Sequence, residues 1–384
     1  MTVAIVGIGE LRQGRSDAAS PMALHEALIR RALDDAGLAL SDVDAILTLS
    51  PRADPYLIHS AALAESLRVQ PAIAWTLEAG GAAPIAMLEV GRGLIEGGRA
   101  RTVLGVGADM PLGTGSRHNY IKTLADVGPV HPDYERPFAP TVPSLFAMVA
   151  RAHMDAFGTT RAHLAAVALQ DRKMAALHPN AHHVDPLSIE MYLAGAPIAD
   201  PLTLFDCAPV SDGGGAYVLT SVERARDLAR PPVTVVASGF STGHLHLSAA
   251  ASLVGFSAGR ALDQAFRNAD LSRDAIDVAM IYDCFTIAML VNLEDLGFVS
   301  KGQAGAAFAA GEFGAGGRLP VNTHGGLLSH GHPARAGGMG NVIEAVMQLR
   351  GDAGARQVSD AEIALVHGMG GVFAAHGVAL LGKA

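Results

Sequence analysis

Residues 322–338 read NTHGGLLSHGHPARAGG, the densest grouping of chemistry-bearing side chains in the chain. His324, His330 and His332 share this stretch with the Gly325–Gly326 pair and Pro333, just before a helical pattern around Glu344. A glycine-lined loop that feeds a helix N-terminus presents unpaired backbone N–H groups and a partial positive charge. A histidine held there can stabilise a developing oxyanion or carry protons. The same spacing also suits a surface loop with incidental histidines. A second grouping is YDCFT, residues 282–286, directly after the apolar segment Ile276–Ile281. It falls at the end of a strand, where α/β sheets place their ligands. Tyr282, Asp283 and Cys284 are all acid–base candidates, although a buried cysteine commonly serves as a small apolar filler.

Three other stretches promise less. LFDCAPVSDGGGAYVLT (204–220) is a glycine-rich turn entering an apolar strand, and Cys207 within it reads as structural. HPNAHH (178–183) lacks the recurring ligand spacing of a zinc site, so no metal is expected. GVGA (105–108) and GIG (7–9) are too short for a dinucleotide fingerprint, which needs a third glycine and a downstream acid.

The elements that must position these groups occur twice. Residues 27–46 and 260–279 align without a gap, pairing Ile29 with Leu262, Ala32 with Ala265, Ala36 with Ala269 and Asp44 with Asp277. In each copy apolar positions three to four apart give way to a short apolar run, a helix leading into a strand. Strand-like VAIVGIG (3–9) and VTVVASG (233–239) precede the two copies. IAMLEVGRGL (85–94) resembles GNVIEAVMQL (340–349), and strands at 102–108 and 363–369 follow them. Such alternation predicts an α/β fold with helices covering mixed sheets, built as two like units side by side. The seam falls at Pro231–Pro232, giving halves 1–230 and 231–384. Over about 112–200 the pattern breaks, and this stretch reads as a ligand-covering insertion with one clear helix, Arg161 to Leu177, capped by Thr159 or Thr160.

The 384 residues are half hydrophobic, 17% charged, and carry a formal charge of −9 without a basic cluster, which argues against a nucleic-acid partner. No apolar run reaches the ~18 residues of a membrane span. The two cysteines, Cys207 and Cys284, do not make a secreted disulfide scaffold. A strand beginning at Val3 leaves no room for a signal peptide, so a cytoplasmic location is expected.

NTHGG…GHP, YDCF and LFDCAPVSDGGGAYVL together resemble the thiolase superfamily nearly end to end, in particular the sterol-carrier-protein-type thiolases and their thiolase-like relatives. The resemblance implies a five-layered αβαβα fold from two tandem βαβαβαββ-type halves, usually in a homodimer, acting on a coenzyme A thioester with no bound cofactor. It makes His332 of GHP the oxyanion-hole histidine, opens the same loop with Asn322, and turns Cys284 into an acid–base thiol at the α-carbon. It also marks departures. Where the family carries its nucleophilic cysteine, this chain reads TLEAGGAAP (76–84); setting its glycine on Gly81 puts Glu78 at that position. The histidine of the family's HDCF loop is Tyr282, and VHGMGG (366–371), with Gly370, lacks a further thiol found in many thiolases. Asp283, His324 and His330 complete the pocket candidates.

Thiolysis passes through an acyl-enzyme and needs that nucleophile. Enolate chemistry does not. A β-hydroxyacyl-CoA losing its hydroxyl proton can break its Cα–Cβ bond, and the thioester enolate left behind needs only charge stabilisation and reprotonation. Some thiolase-like proteins that cleave steroid side chains resemble this arrangement and work with a small zinc-ribbon/OB-fold partner. Tyr282 fits as a proton-transfer group, though its ordinary pKa near ~10 calls for help from its surroundings. Retro-aldol cleavage is therefore the expected activity. An acyltransferase with an atypical nucleophile and a non-catalytic scaffold subunit are the alternatives.

Overall fold

The structure, a computed structural model, describes residues 2–113 and 130–384, so positions 114–129 of the expected insertion lie outside the described residues. In chain order the first half contributes β1 (Val3–Glu10), α1 (Pro21–Ala36), β2 (Ala45–Thr48), α2 (His59–Ser66), β3 (Ile73–Thr76), α3 (Ala83–Glu96) and β4 (Thr102–Asp109). The covering helices α4 (Val142–Phe157) and α5 (Arg161–Ala175) come next, and β5 (Gly213–Ser221) closes the half. The second half follows with β6 (Val233–Thr242), α6 (Ala258–Ala269), β7 (Val278–Met280), α7 (Thr286–Asp295), α8 (Gly338–Arg350), β8 (Ile363–Gly370) and β9 (Ala375–Lys383).

The strand order is β3–β2–β4–β5–β1 in the first half and β7–β8–β9–β6 in the second. Beyond β7 a parallel bridge from Ala279 to Val321 takes the place that β3 holds beside β2, so the two orders coincide. Among the described residues the two sheets are hydrogen-bonded through Ala4 and Ile5, which pair with Thr234 and Val233.

Alternation along the strands sorts side chains into three cores, as the period of two demands. Val3, Ile5, Leu47 and Val103 face inward with Val278, Met280, Val366 and Leu381, and together they enclose α3 and α8. Val6, Ile46 and Leu104 face outward under α1. Ala279, Leu365 and Val378 face outward under α6 and the covering helices. The layers thus run helix, sheet, paired helices, sheet, helix.

The repeat has a direct physical basis at its glycines. A Cβ on Gly9 would lie 2.3 Å from Leu28 O and 2.7 Å from Ala32 N; one on Gly239 would lie 2.0 Å from Ala261 O and 2.8 Å from Ala265 N. The contacted residues are themselves repeat partners, so in both halves the outer helix rests directly on strand backbone.

Within the insertion, α5 starts at Arg161 with Thr160 as its cap, accepting from His163 N, and ends at Ala175, two residues short of the expected end. The other covering helix, α4, was not anticipated, because its region is irregular in composition. Its start is nonetheless written locally: Thr141 accepts from Ser144 N and Pro143 sits in the first turn. Among the described residues no helix is long and apolar enough to cross a membrane.

Candidate active site

Strand β7 ends at Met280, and the YDCF loop runs from there to the start of α7. Asn322 holds this loop in place. Its Oδ1 accepts from Ile281 N at 2.7 Å and its Nδ2 donates to Ile281 O at 2.9 Å. Both ends of the amide are spent on the residue before Tyr282, and Asn322 itself sits at φ +49°. Expected among the catalytic side chains, it acts here by fixing backbone and has little left to offer a substrate. Asn292 Nδ2 donates to Tyr282 O at 2.9 Å, and His367 Nδ1 accepts from Tyr282 N at 3.4 Å.

Tyr282 is buried, and its ring meets the ring of His332 edge to face, with centroids 5.9 Å apart. On its other side lies the loop that opens α3. A Cβ on Gly81 would fall 2.4 Å from the Tyr282 hydroxyl oxygen. In that loop it is Gly81 that faces Tyr282. Glu78 points outward instead: its side chain is 58% exposed, ion-paired to Arg335 at 2.8 Å, and accepts from Gly80 N. Gly370 packs against the same loop, where a Cβ would lie 2.3 Å from Ala79 O.

Residues 207–211 line the other flank. Ala208 N donates to Cys284 O at 3.0 Å, and Ser211 Oγ accepts from His332 N at 3.1 Å, so one short stretch of chain holds both loops of the candidate site. Burial pushes the Cys284 thiol well above its ordinary value, and neighbouring Asp283 adds to the effect. The group therefore stays a protonated thiol, a donor and not a nucleophile. Burial pulls His332 down to about 4, so the ring is neutral near pH 7. Apart from its edge contact with Tyr282, no hydrogen bond ties the ring nitrogens to another described side chain.

The other two histidines of the loop turn away. His324 Nε2 meets Asn341 Oδ1 at 3.1 Å, and His330 Nε2 lies 3.0 Å from Glu10 Oε1 beside His178. Glu10, His178 and His330 are close enough to suggest a cation site. Hydrogen bonding argues against it. His178 Nδ1 accepts from Asn180 N at 3.1 Å, which leaves the neutral ring's proton on Nε2, the atom facing Glu10 and Glu344. A ligating histidine has the reverse arrangement, with a free lone pair at the metal and the other nitrogen donating. Although burial opposes ionisation of Glu10, His330, His178 and Asn180 hold it down to about 2. The cluster reads as a hydrogen-bonded support behind the loop.

The structure sets Tyr282 beside His332, with Cys284 two residues on in the same loop, and adds Ser211 and His367, which sequence reasoning did not single out. Ser211 was in view as part of the glycine-rich turn, and Gly81 as the glycine that set the alignment; His367 lies in a distant strand and carries no local signal. A cavity of about 390 Å³, lined by Arg172, His182, Cys207, Val210, Leu328 and Ser329 among others, opens beside the site, and Tyr282, Cys284 and His332 are not in its wall.

Residues 239–383 match the family described as thiolase C-terminal domain-like. Over 374 residues the chain is 34% identical to the acetyl-CoA acetyltransferase of Methanothermobacter thermautotrophicus, with 96% of each chain covered. It is 33% identical over 361 residues to the 17-hydroxy-3-oxo-4-pregnene-20-carboxyl-CoA lyase of Mycobacterium tuberculosis, covering 91% of both. Among solved structures it is similar to the Ltp2-ChsH2(DUF35) aldolase, with a TM-score of 0.87 at 29% identity over 100% of this chain and 98% of that one.

Proposed function

Because this chain belongs to the thiolase superfamily, we propose that it cleaves the Cα–Cβ bond of a β-hydroxyacyl-CoA by a retro-aldol reaction. It is an enzyme of thiolase type for coenzyme A thioesters, and the aldolase reading is favoured by its likeness to the lyase and to the aldolase structure. The observation that carries the reading is the Tyr282 hydroxyl lying where a side chain on Gly81 would project, edge-on to His332. The phenol fills the space beside the loop that opens α3, a loop that carries no thiol.

In the proposed reaction Tyr282 enters as the phenolate and takes the β-hydroxyl proton as the Cα–Cβ bond breaks. The bonding pair moves onto the thioester as an enolate, and an aldehyde or ketone leaves. His332, whose ring is tied by hydrogen bonds to no other side chain among the described residues, stabilises the enolate oxygen, and the Cys284 thiol delivers a proton to Cα. Cys284 then recovers the proton held by Tyr282, so the balance closes without a cofactor. No prosthetic group or metal is required.

The likeness to an acetyl-CoA acetyltransferase sustains a second reading, acyl transfer through an atypical nucleophile. The scaffold reading rests on the loss of the thiol alone. Incubation with acyl-CoA and β-hydroxyacyl-CoA thioesters, read by mass spectrometry, separates the three. Release of a carbonyl compound with the shortened acyl-CoA, and no acyl adduct on the protein, is the expected result. A covalent acyl-enzyme would instead establish the transferase, and His332→Ala without effect on a reconstituted complex would leave a scaffold.

The proposal extends to assembly. The chain divides at Pro231–Pro232 into halves 1–230 and 231–384, works in the cytoplasm, and forms a homodimer through the β3 edge, where Trp75 is 45% exposed. A small zinc-ribbon/OB-fold partner is the second expected component, since the aldolase structure it resembles joins two proteins by name.

A further inference from the structure

Asp171 lies on α5, the covering helix that packs across residues 326–330 of the histidine loop. Its carboxyl is fully buried, and neither oxygen meets an N–H or O–H donor among the described residues. The polar group it does face is the buried carboxyl of Asp283. Asp283 in turn accepts from the backbone N–H of Leu327 at 2.8 Å and Leu328 at 3.2 Å, tying the YDCF loop to the histidine loop. The histidine loop packs closely on both residues through its two glycines. A Cβ on Gly325 would lie 2.7 Å from Asp171 O, and one on Gly326 would lie 2.1 Å from Asp283 Oδ2.

Two facing carboxylates are both acceptors, and they satisfy one another only with a proton between them. We propose that Asp171 and Asp283 share a single proton, and that this acid–carboxylate contact positions the covering helix on both catalytic loops at once. Asp171 is thus a positioning residue, acting through Asp283.

The groups around the pair leave it uncompensated. On α5, Arg172 turns to Ser329 Oγ at 3.1 Å and Asp185 O at 3.2 Å. On the YDCF loop the neighbour is the neutral thiol of Cys284, and beside Gly326 it is the Asn322 amide. Among the described residues no cation forms an ion pair with either carboxyl. Burial, then the Asp283 charge, pushes Asp171 well above the usual carboxylate range. A carboxyl raised on folding gives stability that is complete below its unfolded value and lost as pH rises through its folded value.

The test compares wild type, Asp171→Asn and Asp171→Ala. An Asn amide donates to Asp283 without needing a shared proton, so the Tm of Asp171→Asn relative to wild type should climb from pH 5 to pH 9. A difference that stays flat across that range overturns the shared proton, whatever the enzyme does. The catalytic arm rests on the retro-aldol reading: Asp171→Ala should lower kcat for carbonyl release about tenfold with KM little changed, and Asp171→Asn should restore most of it. Asn as damaging as Ala, or Ala as active as wild type, overturns the positioning role. Should none of the three release a carbonyl, the reaction reading fails while the Tm comparison still decides the pair.

Discussion

The central helices α3 and α8 open from loops at equivalent places in the two halves, and those loops have diverged completely in chemistry. Before α8 stand three histidines, a buried polar support and the contact with Tyr282. Before α3 stand two glycines and Glu78, the last exposed and paired with Arg335. The backbone frame is alike in both halves, down to the glycines under α1 and α6. A duplicated fold thus repeats what packing requires and leaves side-chain chemistry free to differ. Here the second half not only keeps its reactive groups but extends Tyr282 into the room beside Gly81.

The comparison breaks most sharply at the second-half groups. Tyr282→Phe keeps the ring packing and removes the hydroxyl, and His332→Ala removes the imidazole. Each should lower the rate of carbonyl release by about 10²–10⁴-fold, with little change in Tm. Carbonyl release surviving both substitutions would place the chemistry elsewhere.

Buried histidines give the next largest effect, and it comes from the first half. His25 and His59 pack edge to face with centroids 4.9 Å apart, and burial holds both down to about 4. A histidine lowered on folding leaves stability intact above its unfolded value near 6.5, and that stability is lost as pH falls toward 4. For His25 the loss should reach about 3 kcal/mol at pH 4. Neither ring nitrogen of His59 has a hydrogen-bond partner, so His59→Leu should be near neutral at pH 7 and flatten the acid limb of urea midpoints measured from pH 7 to 4. This slope is opposite in sign to that of the Asp171–Asp283 pair.

Gly81→Ala sharpens the comparison directly. A methyl group there meets the Tyr282 ring and should cost about 1–3 kcal/mol of stability, measured by denaturant unfolding. The cost should shrink when Tyr282→Ala is added, since the cycle reports one shared contact. Smallest of all, Glu78→Gln removes an exposed ion pair worth at most about 1 kcal/mol and should leave carbonyl release unchanged.

Much of this was legible along the chain. The tandem repeat, the strand-end loop of Tyr282–Cys284 and the histidine loop all follow from periodicity, glycine placement and local composition, because each depends on neighbours close in sequence. Asn322 was recognised as part of the site, but its two bonds to Ile281 were invisible from spacing. Helix α4 was hidden in an irregular stretch, although its Thr141 cap and Pro143 were written there.

Sequence by itself determined the layered frame, the absence of a cysteine in the loop before α3, and the residue types that make up the two loops of the candidate site. Tertiary structure decided which of three histidines faces Tyr282, that Gly81 and not Glu78 confronts the phenol, and that Asp171 meets Asp283. Local pattern specifies elements through backbone sterics and the burial of one face. Which side chains then share a few ångströms of space depends on how distant elements pack, and no short-range signal records that.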